Sequence, residues 1–220
     1  MKDNTLPLLH EIRPNRTSVK NPPLLLMLHG YGSHENDLFG FANDLPGDFF
    51  VISARAPYSL GFGGFAWYEI DFNQLGGGKM SNVEQARESR ELVRTFVNEA
   101  REAYNLKESD LWLMGFSQGC ILSYGLALSY PQEVQKVLAL SGYVLKDIVP
   151  AQYQPAAIQH LDFLVTHGTE DPVLPVEWAR QTVKMLEQLN IKHLYREYPI
   201  GHGINPECFA DIKKWIDERL

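Results

Sequence analysis

Three residues that together can activate a hydroxyl group stand far apart in the chain: Ser117, Asp171 and His202. Ser117 is the centre of Gly115-Phe116-Ser117-Gln118-Gly119, which follows an apolar run and precedes a helix-like segment. Gly-x-Ser-x-Gly between a strand and a helix predicts a nucleophile elbow, a tight turn that holds the serine in a strained backbone conformation. The pattern also arises by chance, so its weight depends on the flanking elements and on partner residues downstream.

A serine hydroxyl is a poor nucleophile at neutral pH and needs a base within hydrogen-bond reach, oriented in turn by an acid. In an elbow architecture the chain order is serine, acid, histidine. Of the seven histidines, only His193 and His202 lie late enough. His202 is flanked by glycines in a loop after the last predicted strand, where parallel sheets place reactive groups. His193 lies beside a strand and reads as a surface residue. We therefore predict His202 as the base, with a structural loop histidine as the alternative.

The orienting acid is predicted at Asp171, in a loop between a predicted strand and a predicted helix. The following Pro172 excludes Asp171 from helical geometry and favours an extended or turn conformation. The alternative is that Asp171 only caps the next helix. Glu170 is the immediate competitor for the role, and Asp147 is a weaker one.

The oxyanion of a tetrahedral intermediate needs two hydrogen-bond donors. In elbow architectures the backbone N–H after the nucleophile, here that of Gln118, is one, and the loop after an earlier strand supplies the second. That loop is His29-Gly30-Tyr31-Gly32, and we predict the backbone N–H of Tyr31 as the donor, which makes the His29 imidazole structural. The segment His34-Glu35-Asn36-Asp37 fits no strong metal motif. No metal and no cofactor are predicted.

Strands and helices alternate along the chain. Apolar or alternating runs predict strands at residues 8–13, 24–28, 49–52, 111–114, 137–140, 163–165 and 194–198. Helices are predicted from a capping box at Ser81-Asn82-Val83-Glu84 to Tyr104, over 118–129 and 176–189, and from Pro206 to the end. This alternation predicts an α/β fold with a mainly parallel central sheet and helices on both faces. A length of 220 residues favours a single domain over 1–220.

These stretches together resemble the alpha/beta-hydrolase superfamily and, within it, the phospholipase/carboxylesterase family, which includes acyl-protein thioesterases and small bacterial carboxylesterases. The matching segments are Leu28-His29-Gly30-Tyr31-Gly32, Gly115-Phe116-Ser117-Gln118-Gly119, His167-Gly168-Thr169-Glu170-Asp171-Pro172-Val173, Gly201-His202-Gly203 and the Trp-containing Ala66-Trp67-Tyr68-Glu69-Ile70. The resemblance implies the alpha/beta-hydrolase fold, a triad of Ser117, Asp171 and His202, and oxyanion donors at Tyr31 and Gln118.

The middle segment, residues 60–80, departs from the family pattern around Trp67. We predict that Phe62, Phe65 and Trp67 line an acyl pocket, with a hydrophobic cluster under a long loop as the alternative. The segment is too short and too rich in glycine to form the amphipathic lid of an interfacial lipase.

Composition narrows the function further. The net charge of −7 and the absence of a Lys/Arg stripe argue against nucleic-acid binding. Two cysteines form no disulfide framework, and no signal-peptide core or run of 18 apolar residues occurs, so we expect a cytoplasmic protein without stable membrane association. The oligomeric state stays open between a monomer and a homodimer.

The sequence thus predicts a serine carboxylesterase that cleaves short- to medium-chain esters of small molecules, or thioesters, through an acyl-enzyme. Two alternatives are a serine peptidase or amidase on the same fold and a non-catalytic module that binds acyl ligands.

Overall fold

The computed structural model describes residues 6–71 and 80–220. Its centre is a seven-stranded sheet in which only the first strand is antiparallel to its neighbour. In spatial order the strands are β1 (His10–Arg13), β3 (Phe50–Ala54), β2 (Leu24–Leu28), β8 (Leu111–Phe116), β9 (Lys136–Leu140), β10 (Asp162–Gly168) and β11 (Lys192–Tyr198). All seven predicted strands are present, and the predicted mainly parallel α/β fold is confirmed.

The helices cover both faces of this sheet. They are α1 (Asn36–Phe39), α2 (Val83–Ala103), α3 (Gln118–Ser129), α4 (Pro155–Ile158), α5 (Val176–Gln188) and α6 (Pro206–Asp217). One apolar cluster joins α2, α3 and α5 to alternate strand residues such as Leu26 and Leu113. A second cluster joins α1 and α6 to the strand residues that point to the opposite face of the sheet, such as Met27 and Trp112. Every residue of β2 is therefore buried, which explains its unbroken apolar run.

The start of α2 differs by one residue from the predicted capping box. Asn82, not Ser81, is the N-cap, and its side chain accepts a hydrogen bond from the backbone N–H of Gln85 at 3.2 Å. Asparagine caps a helix at least as well as serine, because its carbonyl oxygen reaches the same free N–H groups. The Gln85 side chain turns outward and accepts a bond from the backbone N–H of Glu69.

Two small hairpins between β3 and α2 were not predicted. They are β4 (Tyr58–Gly61) with β5 (Gly64–Ala66), and β6 (Ile70–Asp71) with β7 (Met80–Ser81). The prediction that residues 60–80 form no lid helix falls partly on residues 72–79, which lie outside the described residues.

The sheet determines where the predicted site residues meet. Tyr31 follows β2, Ser117 follows β8, Asp171 follows β10 and His202 follows β11. Because these four strands are parallel, all four residues leave the sheet at its carboxyl edge.

Candidate active site

Ser117 occupies the strained turn that the elbow motif predicts. Its φ of 54° and ψ of −115° lie in a region that non-glycine residues rarely adopt. The turn is held because the Ser117 N–H donates to the carbonyl of Leu140 at 2.9 Å. It also needs glycine at position 119, where a Cβ would lie 2.0 Å from the carbonyl oxygen of Leu28. The first turn of α3 therefore packs directly against the end of β2.

Ser117, His202 and Asp171 form a continuous hydrogen-bonded relay. Nε2 of His202 lies 2.8 Å from Oγ of Ser117, and Nδ1 lies 2.6 Å from Oδ2 of Asp171. A carboxylate only accepts hydrogen bonds, so Nδ1 carries the proton and Nε2 of the neutral ring accepts from the serine hydroxyl. This is the geometry in which a histidine can remove the serine proton.

The Asp171 carboxylate is fully enclosed and fully hydrogen-bonded. Oδ1 accepts from the backbone N–H groups of Val173 (2.8 Å) and Leu174 (2.9 Å). Burial would raise the pKa of this carboxyl. The bonds from Leu174, His202 and Val173 and the attraction to His202 outweigh burial and hold the pKa below its ordinary value. Asp171 is therefore ionised in the folded protein at neutral pH.

His167, which the sequence left without a role, supports the turn that follows Asp171. Its side chain is completely buried, and Nε2 lies 2.9 Å from the carbonyl of Leu174 and 3.3 Å from Oδ2 of Asp171. Since a carbonyl only accepts, Nε2 carries a proton and donates it to the carbonyl of Leu174. His167 thereby ties the turn after Asp171 to the end of β10.

The loops that carry the acid and the base are bonded to each other. The backbone N–H groups of Thr169 and Glu170 donate to the carbonyls of Tyr198 (2.8 Å) and Ile200 (3.0 Å). A Cβ on Gly168 would lie only 2.2 Å from the carbonyl oxygen of Gly201, so this close approach requires glycine. These backbone contacts hold Asp171 and His202, which are 31 positions apart in the sequence, at hydrogen-bond distance.

The predicted oxyanion donors, Gln118 and Tyr31, line one cavity together with Ser117. Gln118 is the first residue of α3, so helix geometry gives its N–H no partner within the helix. Tyr31 lies in the turn after β2. His29 is structural, as predicted: Nδ1 donates to the carbonyl of Gly30 (2.7 Å), and Nε2 accepts from the N–H of Ala56 (3.0 Å). Burial lowers the pKa of His29, although the bond to Gly30 acts in the opposite direction.

Trp67 joins the elbow to the loop that carries Tyr31. Its indole N–H donates to the carbonyl of His29 at 2.9 Å, and its backbone N–H donates to the side-chain oxygen of Gln118 at 2.8 Å. The amide nitrogen of Gln118 in turn donates to the carbonyl of Tyr68 at 2.6 Å. Both ends of the Gln118 side chain are therefore occupied by backbone groups.

A cavity of about 270 Å³ opens beside Ser117 and His202. Its walls include Tyr68, Tyr143, Trp178, Ile121 and Leu174. Burial raises the pKa of the Tyr68 and Tyr143 hydroxyls, which keeps both phenols neutral. The cavity is therefore mainly aromatic and apolar.

The predicted pocket residues Phe62, Phe65 and Trp67 do not line this cavity, and this part of the prediction is wrong. Phe62 is fully exposed at the tip of the β4–β5 hairpin. Phe65 is partly buried and stacks on the Arg55 guanidinium at 4.6 Å. Trp67 is fully buried in the main core, so the weighed alternative of a hydrophobic cluster holds for this residue.

The wall that sequence reasoning missed comes from loops and a helix end. Tyr143 follows β9, and Trp178 lies in the first turns of α5, where their rings pack edge to face at 4.7 Å. Both stand at the carboxyl edge of the sheet, and that placement is the signal by which they could have been found.

The competing candidates for the acid and the base take no part in the relay. Glu170 and Asp147 are exposed, and His193 lies within β11, where Nδ1 donates to the carbonyl of Ile191. Among the described residues, no cluster of His, Cys, Asp and Glu has the arrangement of a metal site. Within residues 6–71 and 80–220, no helix is long and apolar enough to span a membrane.

The parallel sheet, the elbow and the relay at its carboxyl edge define an alpha/beta hydrolase. The sequence profile of the Phospholipase/Carboxylesterase family matches residues 12–220, and the chain belongs to this family. Family membership makes it a carboxylic ester hydrolase, acting on esters or thioesters.

Individual relatives agree with this assignment. Acyl-protein thioesterase 1 of Candida albicans is 27% identical over 175 residues, which cover 76% of this chain and 75% of the relative. Acyl-protein thioesterase 1 of Debaryomyces hansenii is 26% identical over 142 residues, 63% of this chain and 61% of the relative. The crystal structure of a carboxylesterase from Mesorhizobium loti superposes with a TM-score of 0.82 at 22% identity, covering 99% of this chain and 97% of that chain.

Proposed function

We propose that the protein is a serine carboxylesterase that hydrolyses short- to medium-chain esters, or thioesters, of small molecules through an acyl-enzyme on Ser117. The observation that carries the proposal is the unbroken relay from Ser117 through His202 to Asp171, with bonds of 2.8 and 2.6 Å. The sequence predictions of a cytoplasmic location and of no nucleic-acid or stable membrane partner stay predictions.

The geometry supports the following course of reaction. His202 takes the proton of Ser117 as Oγ attacks the acyl carbonyl, and Asp171 holds the ring in the required tautomer and stabilises its cation. The backbone N–H groups of Gln118 and Tyr31 receive the oxyanion. His202 then gives its proton to the leaving alcohol or thiol. In the second half it activates a water molecule that releases the acid and restores Ser117.

The size of the cavity supports a compact acyl group. At about 30 Å³ for a water-sized group, a volume of 270 Å³ holds roughly nine such groups. This accommodates a butyryl or hexanoyl chain. Its aromatic and aliphatic walls favour a non-polar acyl group over a charged one.

Labelling with a fluorophosphonate tests the proposal, because only an activated serine reacts. We expect mass spectrometry to place one adduct on Ser117, and Ser117→Ala to lower kcat by several orders of magnitude with the thermal unfolding transition retained. An adduct on Ser141 or Cys120, both fully buried, would contradict the assignment. Absence of any adduct in a folded protein would favour a binding module. Faster cleavage of an amide than of the matching ester would favour a peptidase.

A further inference from the structure

A second cavity, of about 300 Å³, also borders His202. Its lining includes Phe41, Phe116 and Ile204, with Asp37 at its exposed rim. His202 lines both cavities, but only the first one includes Ser117 and the two predicted oxyanion donors. Among the described residues, His202 is therefore the one that the linings of the two cavities share.

The walls of the second cavity are supported from behind. The Phe116 ring packs against the His202 ring at 4.9 Å between centroids. The Phe41 ring stacks on Phe209 at 4.6 Å with an interplanar angle of 30°. Because both rings are already packed, they present a formed surface to a ligand.

An ester carbonyl carries two substituents, and the reaction treats them differently. When the tetrahedral intermediate collapses, the bond from the carbonyl carbon to the leaving oxygen or sulfur breaks. The electron pair stays on that atom, and the proton on Nε2 of His202 is transferred to it. The leaving group must therefore lie beside the imidazole, while the acyl group stays attached to Ser117. Only the first cavity is lined by Ser117, which assigns the acyl group to that cavity.

We propose that the second cavity, between Phe41, Phe116 and Ile204, is the leaving-group site of the esterase. It takes aryl or apolar alcohols and thiols, and the Asp37 carboxylate at its rim favours a cationic over an anionic substituent on them. Oγ of Ser33 donates to this carboxylate at 2.6 Å, which holds it in place. This proposal rests on the proposed esterase function.

Esters of one acid with different alcohols test the site, because all of them form the same acyl-enzyme. The substrates are ethyl butyrate, benzyl butyrate, and benzyl butyrates with a meta trimethylammonium or a meta sulfonate group. Each value of kcat/KM is divided by the rate constant of alkaline hydrolysis of that ester, which removes the effect of leaving-group reactivity.

We expect Phe41→Ala to lower the benzyl-to-ethyl ratio of kcat/KM about tenfold, because one packed aromatic contact is lost. Asp37→Asn should lower the ammonium-to-sulfonate ratio about threefold, the size expected of an exposed charge. Phe39→Ala is the matched control, because it makes the same substitution at the last residue of α1, which does not line the cavity. It should keep both ratios.

A variant that adds bulk gives an independent readout. A Cβ on Gly203, which lines the cavity, would meet no atom within 4 Å, and its φ lies outside the strained region. Gly203→Leu should therefore fold and reduce the benzyl-to-ethyl ratio by filling the space.

The outcomes separate this proposal from the proposed function. If the wild-type protein hydrolyses no ester and Ser117 takes no label, the esterase function itself fails. If it hydrolyses ethyl butyrate but Phe41→Ala and Gly203→Leu keep the benzyl-to-ethyl ratio, only the leaving-group site is overturned. A change in the acetate-to-hexanoate profile of ethyl esters in Phe41→Ala would assign the cavity to the acyl group and overturn the proposal as well.

Discussion

Replacing Trp67 by phenylalanine tests whether a buried indole sets the spacing of the oxyanion donors. The indole N–H holds the carbonyl of His29, two residues before Tyr31, while the Trp67 backbone holds Gln118. Trp67→Phe keeps an aromatic ring in the core but removes this donor and part of the ring volume, and the second loss is matched by the control variant below. The contacts of the Trp67 backbone, including the bond that Oγ of Ser89 donates to its carbonyl, remain possible in the variant.

The expected loss of stability follows from the buried carbonyl. Leaving a buried acceptor without its partner costs about 1–3 kcal/mol. For a chain of this size, each kcal/mol lowers Tm by about 2–4 °C. The variant should therefore unfold cooperatively at a temperature several degrees below that of the wild type.

The expected loss of activity is larger than this stability change explains. Removal of an oxyanion donor costs about 10² to 10³ in kcat. In Trp67→Phe the donor is displaced and not removed, because two other bonds hold the loop: the Gly32 N–H to the carbonyl of Phe65, and the Phe65 N–H to the carbonyl of Ser33. We expect kcat to fall by about tenfold to a hundredfold, with KM nearly unchanged, since a shift of about 1 Å near the reacting atoms costs that much.

The assay compares kcat and KM for ethyl butyrate with inhibition by a boronic acid, whose tetrahedral adduct places an oxygen in the oxyanion hole. The inhibition constant should rise in proportion to the fall in kcat/KM. Trp215→Phe is the matched control: Trp215 is equally buried, lies in the cluster on the opposite face of the sheet, and its indole nitrogen has no hydrogen-bond partner among the described residues. Equal losses of kcat in the two variants, or a rise in KM alone, would refute the reasoning.

Three further outcomes are expected. Asp171→Asn should lower kcat by about 10⁴ by favouring the wrong tautomer of His202. Glu170→Gln, at an exposed position, should have little effect on kcat. If steady-state kinetics show the larger loss in Glu170→Gln, then Glu170 is the acid. Gln118→Met should lower the free energy of unfolding by about 2–6 kcal/mol, because the N–H of Trp67 and the carbonyl of Tyr68 each lose their partner. It should keep kcat within about tenfold because the backbone donor remains; a loss of 10² or more in kcat with the fold retained would give the side chain a direct catalytic role. Folding lowers the pKa of Asp171, so the ionised carboxylate stabilises the protein at any pH above its ordinary pKa of 3.8. This contribution disappears as the pH falls through the pKa of the folded state. In urea titrations the difference in stability between wild type and Asp171→Asn should therefore shrink from pH 7 to pH 3, and a difference that grows would contradict the lowered pKa.

The sheet was predictable because its residues are buried on both faces. Apolar runs such as residues 24–28 have no polar side to present, which excludes an exposed strand or an amphipathic helix. The positions of Ser117, Asp171 and His202 at the carboxyl edge then follow from chain order, since each residue comes after a parallel strand. The elbow motif at Ser117 and the loop residues around Asp171 and His202 agree with the turns that the structure shows after these strands.

The substrate cavity was not predictable in the same way. Its aromatic walls come from segments distant in sequence, such as Tyr68, Tyr143 and Trp178, and no periodicity links them. Trp67 and Tyr68 are adjacent, yet Trp67 is packed into the core against the elbow while Tyr68 lines the cavity. Which of two neighbouring aromatic residues faces a ligand depends on hydrogen bonds made across 51 positions of sequence, between Trp67 and Gln118.

The register between β2 and β8 connects the packing of the core to the chemistry of the site. Leu28, the last residue of β2, pairs with Gly115, and β8 continues by only one residue, Phe116, before Ser117. The two predicted oxyanion donors therefore start from neighbouring strand ends, and the missing side chain of Gly119 lets α3 approach the carbonyls of Leu28 and His29 closely. A slip of one residue between these strands would exchange the side chains of β2 between the two apolar clusters, where each would meet a space packed for a different residue. The burial that stabilises β2 thereby also maintains the spacing on which the proposed reaction depends.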